Sequence, residues 1–132
     1  MAKKPDAKRK FIQLSEGEKT YAMSRAVVQG DWCFVSGTVG YDYNSGELPE
    51  SAAQQAQNTF TNIMAALNAA GFELGHTIRV QYTVSDRKYV EDVLPVLRKH
   101  FGAILPAATM VIAEMVDEKM KIEIEVTCFK GA

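Results

Sequence analysis

The sequence predicts one α+β domain with the element order β-β-α-β-α-β-β, and three observations lead there. Two strand-like runs, Ala26-Val27-Val28 and Trp32-Cys33-Phe34-Val35, flank a Gly30-Asp31 turn. A long segment without charges, Ser51 to Ala70, repeats its apolar residues at helical spacing. Two alternating runs, Thr77 to Val84 and Met120 to Cys128, bracket a second helical pattern and the short strand Ala108 to Ala113. Two helices can then cover one face of a single sheet, and a layer of this kind often completes itself by oligomerisation.

Each element has a local cause. Asp42 to Gly46 is rich in turn formers and reads as a loop. Ser51 with Gln54 fits a capping box, and Gly71 is a natural stop for the first helix. Ala56, Phe60, Ile63, Met64 and Leu67 form its apolar stripe. Gln54, Gln55, Asn58 and Asn62 form a polar face suited to solvent or to a neutral contact surface. In the Thr77–Val84 run, Ile78, Val80, Tyr82 and Val84 share one face, and Arg79, Gln81 and Thr83 share the other. Asp86 can cap the second helix, which runs to Phe101 before Gly102, with Pro95 expected to kink or split it. In the last strand Met120, Ile122, Ile124, Val126 and Cys128 face inward. Lys121, Glu123, Glu125 and Thr127 face the other way, beside Arg79 and Gln81.

Composition narrows the function classes. At 132 residues the chain is long enough for one core, and its 47% hydrophobic and 23% charged residues are ordinary for a globular protein. A formal net charge of -1 gives no electrostatic case for nucleic acid or an anionic membrane as the main partner. No apolar run approaches the ~20 residues a membrane span needs. Residues 1–15 are expected to form a disordered basic leader, with five Lys/Arg between Met1 and Lys10, and 16–132 the folded domain. Cys33 and Cys128 read as buried thiols of a cytoplasmic protein, and no spacing suggests a metal site.

Several residues have the chemistry for a site. Glu123 and Glu125, two apart on a strand, share a face. Such a pair can do acid–base work, although cross-strand charge pairing is the plainer reading. Ser36-Gly37-Thr38 ends a strand, where hydroxyls and N–H groups can face a ligand. His76 and His100 have no nucleophile or ligand partner in sequence and read as structural.

Val35-Ser36-Gly37, Ser45-Gly46-Glu47, Asn62 with Leu67 and Ala70-Gly71, Thr83-Val84 with Asp86, Phe101, Pro106-Ala107 and Ile122-Glu123-Ile124-Glu125 occur in a telling order. From about Tyr21 to Lys130 the chain resembles the RidA/YjgF family of reactive-intermediate deaminases. The resemblance implies a chorismate-mutase-like α+β fold and a homotrimer with sheets inside, helices outside and small-molecule pockets at subunit interfaces. It also implies cofactor-free hydrolysis of enamines or imines. In members with that activity an arginine directly after Pro-Ala grips the substrate carboxylate, and a glutamate 15 positions later positions water. Here Glu123 stands 15 positions after Ala108, and Ala108 stands where that arginine is expected. Leu94 occupies a position often polar in active members, and Thr38 replaces a frequent glutamine.

An alanine cannot make the charge-assisted carboxylate contact of an arginine. The resemblance therefore implies a divergent subgroup acting on an imine or enamine other than 2-aminoacrylate. Glu123 is its candidate catalytic residue, and Ser36, Thr38, Ala108, Thr109 and Arg25 are its candidate substrate-binding positions. Arg25 is either a replacement cation at the pocket rim or a solvated strand-edge residue. Two other functions stay open: a trimer that binds a metabolite without turnover, and an endoribonuclease or translation inhibitor, a label attached to some relatives.

Overall fold

The computed structural model describes residues 2–131, so the outermost residues of the expected leader and domain lie outside it. A six-stranded sheet is ordered β1-β2-β3-β6-β4-β5. Its strands are β1 (Lys10–Ile12), β2 (Ala26–Gln29), β3 (Trp32–Thr38), β4 (Thr77–Val84), β5 (Ala107–Ile112) and β6 (Ile122–Phe129). Every pairing is antiparallel except β4 with β5, which the helical crossover between them makes parallel. The helices are α1 (Glu16–Thr20), α2 (Ala52–Ala70) and α3 (Val90–Phe101), with 3-10 turns at Leu74–His76 and Arg87–Tyr89.

The predicted β-β-α-β-α-β-β order is present, preceded by β1 and α1. Lys10–Ile12 falls within the expected leader, yet Phe11 pairs with Val27 and Ile12 with Ala26 as an edge strand. Burial of Ile12 in the core offsets the order imposed on this Lys-rich segment. The α1 turn begins at Ser15, whose side chain forms a capping box with Glu18.

α2 crosses β2, β3 and β6, and α3 packs beside α2. Phe60, Ile63 and Leu67 of α2 meet Val80, Val84, Ile122, Ile124 and Val126 of the sheet, with Val93 and Leu97 of α3, in one core. Ser51 accepts a hydrogen bond from the Gln54 N–H at 3.1 Å, but the Gln54 side chain turns to Asn58 instead of returning to the cap. Gly71 closes the helix at φ +81, where a Cβ would be strained. α3 continues through Pro95 without splitting, because Pro95 lies on the exposed face, where the carbonyl it leaves unpaired can meet water. Asp86 caps the 3-10 turn before α3, not α3 itself.

The polar face of α2 divides: Gln54 is exposed and Asn58 half-buried, while the other two expected members turn inward. Gln55 and Asn62 are buried. Asn62 Nδ2 donates to the carbonyls of Val39 and Tyr41 at 3.0 and 2.8 Å, and Asn58 Nδ2 donates to that of Gly40 at 3.1 Å. Gly40 lies so close that a Cβ there would come within 2.3 Å of the Gln55 carbonyl oxygen. Gln55 also binds the carbonyls of Pro49 and Lys119 and accepts from the Lys121 N–H. The helix thus fixes both the chain leaving β3 and the chain entering β6.

Two irregularities shift faces. Thr77 opposes Cys128 while Arg79 opposes Thr127, so Ile78 is an extra residue. It turns outward at 45% exposure, and Thr77 takes the inner place expected of it. Lys121 leaves the open face, because its Nζ donates to the Glu50 carbonyl and lies 5.2 Å from the centre of the Tyr89 ring. The open face carries Arg79, Gln81, Glu123 and Glu125, and beside them an apolar stretch. Trp32 stacks with Phe34 and meets Phe129 at a tilt of 48°, and Trp32 and Phe34 are 40% and 48% exposed.

Candidate functional site

Where β3 leaves β6, Val35 opposes Val126 but Thr38 opposes Ile124, so β3 bulges at Ser36-Gly37. The missing side chain of Gly37 leaves room for Glu123. A Cβ at Gly37 would lie 2.6 Å from the carboxyl carbon of Glu123. That carboxyl group is half-buried and accepts no hydrogen bond and joins no ion pair among the described residues. Burial and the neighbouring charge of Glu125 raise its pKa above the ordinary 4.5, against a lowering influence from Arg25.

Arg25 holds the bulge. Its Nη1 donates to the Gly37 carbonyl at 2.6 Å and to Thr38 Oγ1 at 3.2 Å, and its Nη2 lies 3.5 Å from Glu18 Oε2. Its Nε is buried and has no partner among the described residues. Glu18, 1% exposed, accepts from the N–H groups of Leu14 and Ser15 at 2.6 and 2.8 Å and from the Ser15 hydroxyl. Burial alone would raise its pKa, but these bonds and the Arg25 charge hold it below the ordinary value.

Above this floor is a cavity of about 290 Å³. Arg25 and Glu123 line it with Glu18, and Tyr21, Tyr41 and Tyr43 are among its walls, beside Val39, Val116, Met23 and Met120. The Tyr41 and Tyr43 phenols are raised in pKa chiefly by burial, so both stay neutral and can donate. A larger depression, about 770 Å³, lies between residues 85–89 and 114–120. Its Asp86 and Asp117 are engaged by the N–H groups of Lys88 and Lys119, and it holds no arrangement comparable to Glu123 and Arg25.

The structure brings Arg25 and Glu123 to one cavity and places the other candidates outside its lining. The Ser36 hydroxyl donates to the Ser24 carbonyl at 2.7 Å. Thr38 is buried, donating to the Ser36 carbonyl and accepting from Arg25. Ala108 and Thr109 lie on β5, opposite Val80 and Gln81 at the far edge of the sheet, with Thr109 3.4 Å from Arg79 Nη1. Both histidines are in local structure: His76 Nδ1 accepts from the Glu73 N–H, and His100 stacks on Phe60. Cys33 is buried, which together with Cys128 pushes its thiol up to about 11. Glu18 and the three tyrosines were not anticipated. Ser15-Glu16-Gly17-Glu18 does carry the capping-box pattern that marks Glu18.

The family described as endoribonuclease L-PSP matches residues 16–129, nearly the whole folded chain. The chain belongs to this family, the RidA/YjgF group. Its six-stranded sheet with helices on one face is the family's chorismate-mutase-like α+β fold. A crystal structure of a YjgF/YER057c/UK114 family member from Mycobacterium tuberculosis superposes with a TM-score of 0.83 at 27% identity, covering 92% of this chain and 99% of that one. A putative endoribonuclease from Thermotoga maritima gives 0.78 at 31% identity, covering 83% and 87%. Among RidA-family sequences, the 2-iminobutanoate/2-iminopropanoate deaminase of Rattus norvegicus is 28% identical over 125 residues, 93% of this chain and 91% of its own. Among the described residues no helix is long and apolar enough to cross a membrane, and no three metal-ligating side chains gather.

Proposed function

We propose that this RidA/YjgF protein hydrolyses an imine or enamine other than 2-aminoacrylate, without a cofactor, with Glu123 positioning and activating water. The observation that carries the reading is the half-buried Glu123 carboxyl, without a partner among the described residues, at the foot of a tyrosine-lined cavity. Its raised pKa suits a group that must both take and return a proton. Water adds to the imine carbon as its proton passes to Glu123. That proton then goes to nitrogen to give a carbinolamine, its hydroxyl proton follows to nitrogen as the carbon–nitrogen bond breaks, and ammonia leaves a carbonyl product. The imine-deaminase names of the rat and bovine relatives support this class of reaction.

Ala108 argues against 2-aminoacrylate, since no side-chain cation stands at that position to hold a carboxylate. The reading includes a homotrimer whose interfaces complete the pockets, with β5 of a neighbouring subunit bringing Ala108 and Thr109 near. The uncovered sheet face with its Trp32-Phe34 stack supports burial of that face. A cytoplasmic setting is consistent with two free, buried cysteines. A second reading, binding without turnover, is favoured by Arg25 being held within the protein. Ammonia release from a panel of imines, run on wild type and Glu123→Gln, decides between the two. Glu123-dependent release supports hydrolysis, and buffer-level release across the panel leaves the binding reading. Light scattering at micromolar concentration tests the trimer, which a monomer mass would refute.

A further inference from the structure

We propose that the cavity at Glu123 takes a small organic cation, a protonated amine or iminium with an apolar body and no carboxylate. The proposal rests on the small-molecule site described above and names its ligand class.

Three observations converge on it. First, among the described residues Arg25 is the one cation lining the cavity, and its charge is already matched. Its Nη1 is held by the Gly37 carbonyl and Thr38, and its Nη2 faces Glu18, a carboxylate 1% exposed. Turning Arg25 toward a ligand carboxylate would leave Glu18 buried without its counter-charge, a loss larger than one charge-assisted bond returns. Second, Glu123 is a carboxylate with no partner among the described residues, and Glu125 on the same strand face adds to its negative field. The charge offered to a ligand is therefore negative. Third, the walls are Tyr21, Tyr41 and Tyr43 with valine and methionine side chains, and aromatic faces attract cations while excluding water.

An iminium fits this frame as a substrate. Water adds to the iminium carbon and gives a proton to Glu123. That proton moves to nitrogen, the carbon–nitrogen bond breaks, and the hydroxyl proton leaves with ammonia. The products are a ketone and an ammonium ion, with no oxidant or reductant required.

The test uses three matched probes, benzylamine, benzyl alcohol and benzoate, titrated calorimetrically into the full-length protein at neutral pH. Benzylammonium is expected to bind at least about tenfold more tightly than the alcohol, with benzoate weakest. Glu123→Gln, confirmed folded by circular dichroism, should erase the preference for the cation. Tyr21→Leu, a change at a 65% exposed position that leaves the core untouched, should weaken the ammonium alone. Benzoate binding as well as benzylammonium, a preference that survives Glu123→Gln, or no binding of any probe at millimolar concentration would overturn the proposal.

A paired assay separates it from the hydrolase reading. The imine of 1-phenylethylamine, made in situ by an amine oxidase, is compared with 2-iminopropanoate made from alanine by an amino-acid oxidase. Faster hydrolysis of the carboxylate-free imine supports both readings. Faster, Glu123-dependent hydrolysis of 2-iminopropanoate overturns the ligand class and keeps the hydrolase. Selective ammonium binding with neither imine hydrolysed keeps the ligand class and removes the hydrolase.

Discussion

Glu18 and Glu123 line the same cavity, and the fold treats them in opposite ways. Glu18 accepts three hydrogen bonds from its own helix cap and faces Arg25. Glu123 has burial, a like-charged neighbour and no partner among the described residues. The first carboxylate is saturated and holds structure. The second is left unsaturated, which costs stability and leaves a group free to act on a ligand. Partner count, more than burial, separates a structural charge from a chemical one.

The largest break in that comparison is Glu123→Gln. Turnover of whichever imine the protein hydrolyses should fall about 10²–10⁴-fold in an ammonia-release assay. Glu125→Gln, changing an exposed residue, should cost less than about tenfold, and Glu123→Gln should keep or raise the urea midpoint. The reverse pattern is expected on the other side. Arg25→Met should destabilise the fold by about 3 kcal/mol in urea unfolding, since it strips a buried carboxylate of its counter-charge. Glu18→Gln should cost about 2 kcal/mol, since it weakens charge-assisted bonds and removes the counter-charge of Arg25, whose guanidinium keeps its bonds to the Gly37 carbonyl and Thr38.

Gly37→Ala sharpens the contrast. The atoms nearest the new methyl are the end of the Glu123 side chain, which can swing away, so stability should change by about 1 kcal/mol or less. Turnover should nevertheless fall, because Glu123 loses its seat. An active Gly37→Ala variant would show that the carboxylate needs no such seat.

The smallest effect is in pH dependence, and its sign differs between the two groups. The folded pKa of Glu18 is below the ordinary 4.5, so its stabilisation is present above that value and lost as pH falls through the folded one. The folded pKa of Glu123 is raised, so its favourable contribution is full below 4.5 and lost as pH rises through the folded value. In urea unfolding across acid to neutral pH, Glu18→Gln should lose less stability than wild type on acidification. Glu123→Gln should gain on wild type as pH rises.

Much of the fold was readable because its causes are local. The alternation from Val80 to Val84, the Ser51 and Gly71 caps and the inward series Ile122, Ile124 and Val126 are present at their expected places. What escaped reading depends on distant partners. β1 needs β2 to pair with, and Ile78 leaves its face only because β4 gains a residue against β6. The same holds at the site. Arg25 and Glu123 could be named from sequence, but that Arg25 is tied to Glu18 follows from a capping box whose meaning appears only when the two side chains meet. Tyr41 and Tyr43 gave no signal, since a loop tyrosine faces a cavity only if something anchors the loop.

That anchor is Asn58 and Asn62 of α2, and what they grip is main chain: the carbonyls of Val39, Gly40 and Tyr41. A carbonyl is common to every amino acid, so the hold is blind to the side chains displayed at 39, 41 and 43. Only Gly40, pressed against the helix, is barred from change. The cavity walls can therefore diverge between lineages while the loop keeps its path, and new ligands become reachable by single substitutions on a scaffold that does not have to be rebuilt.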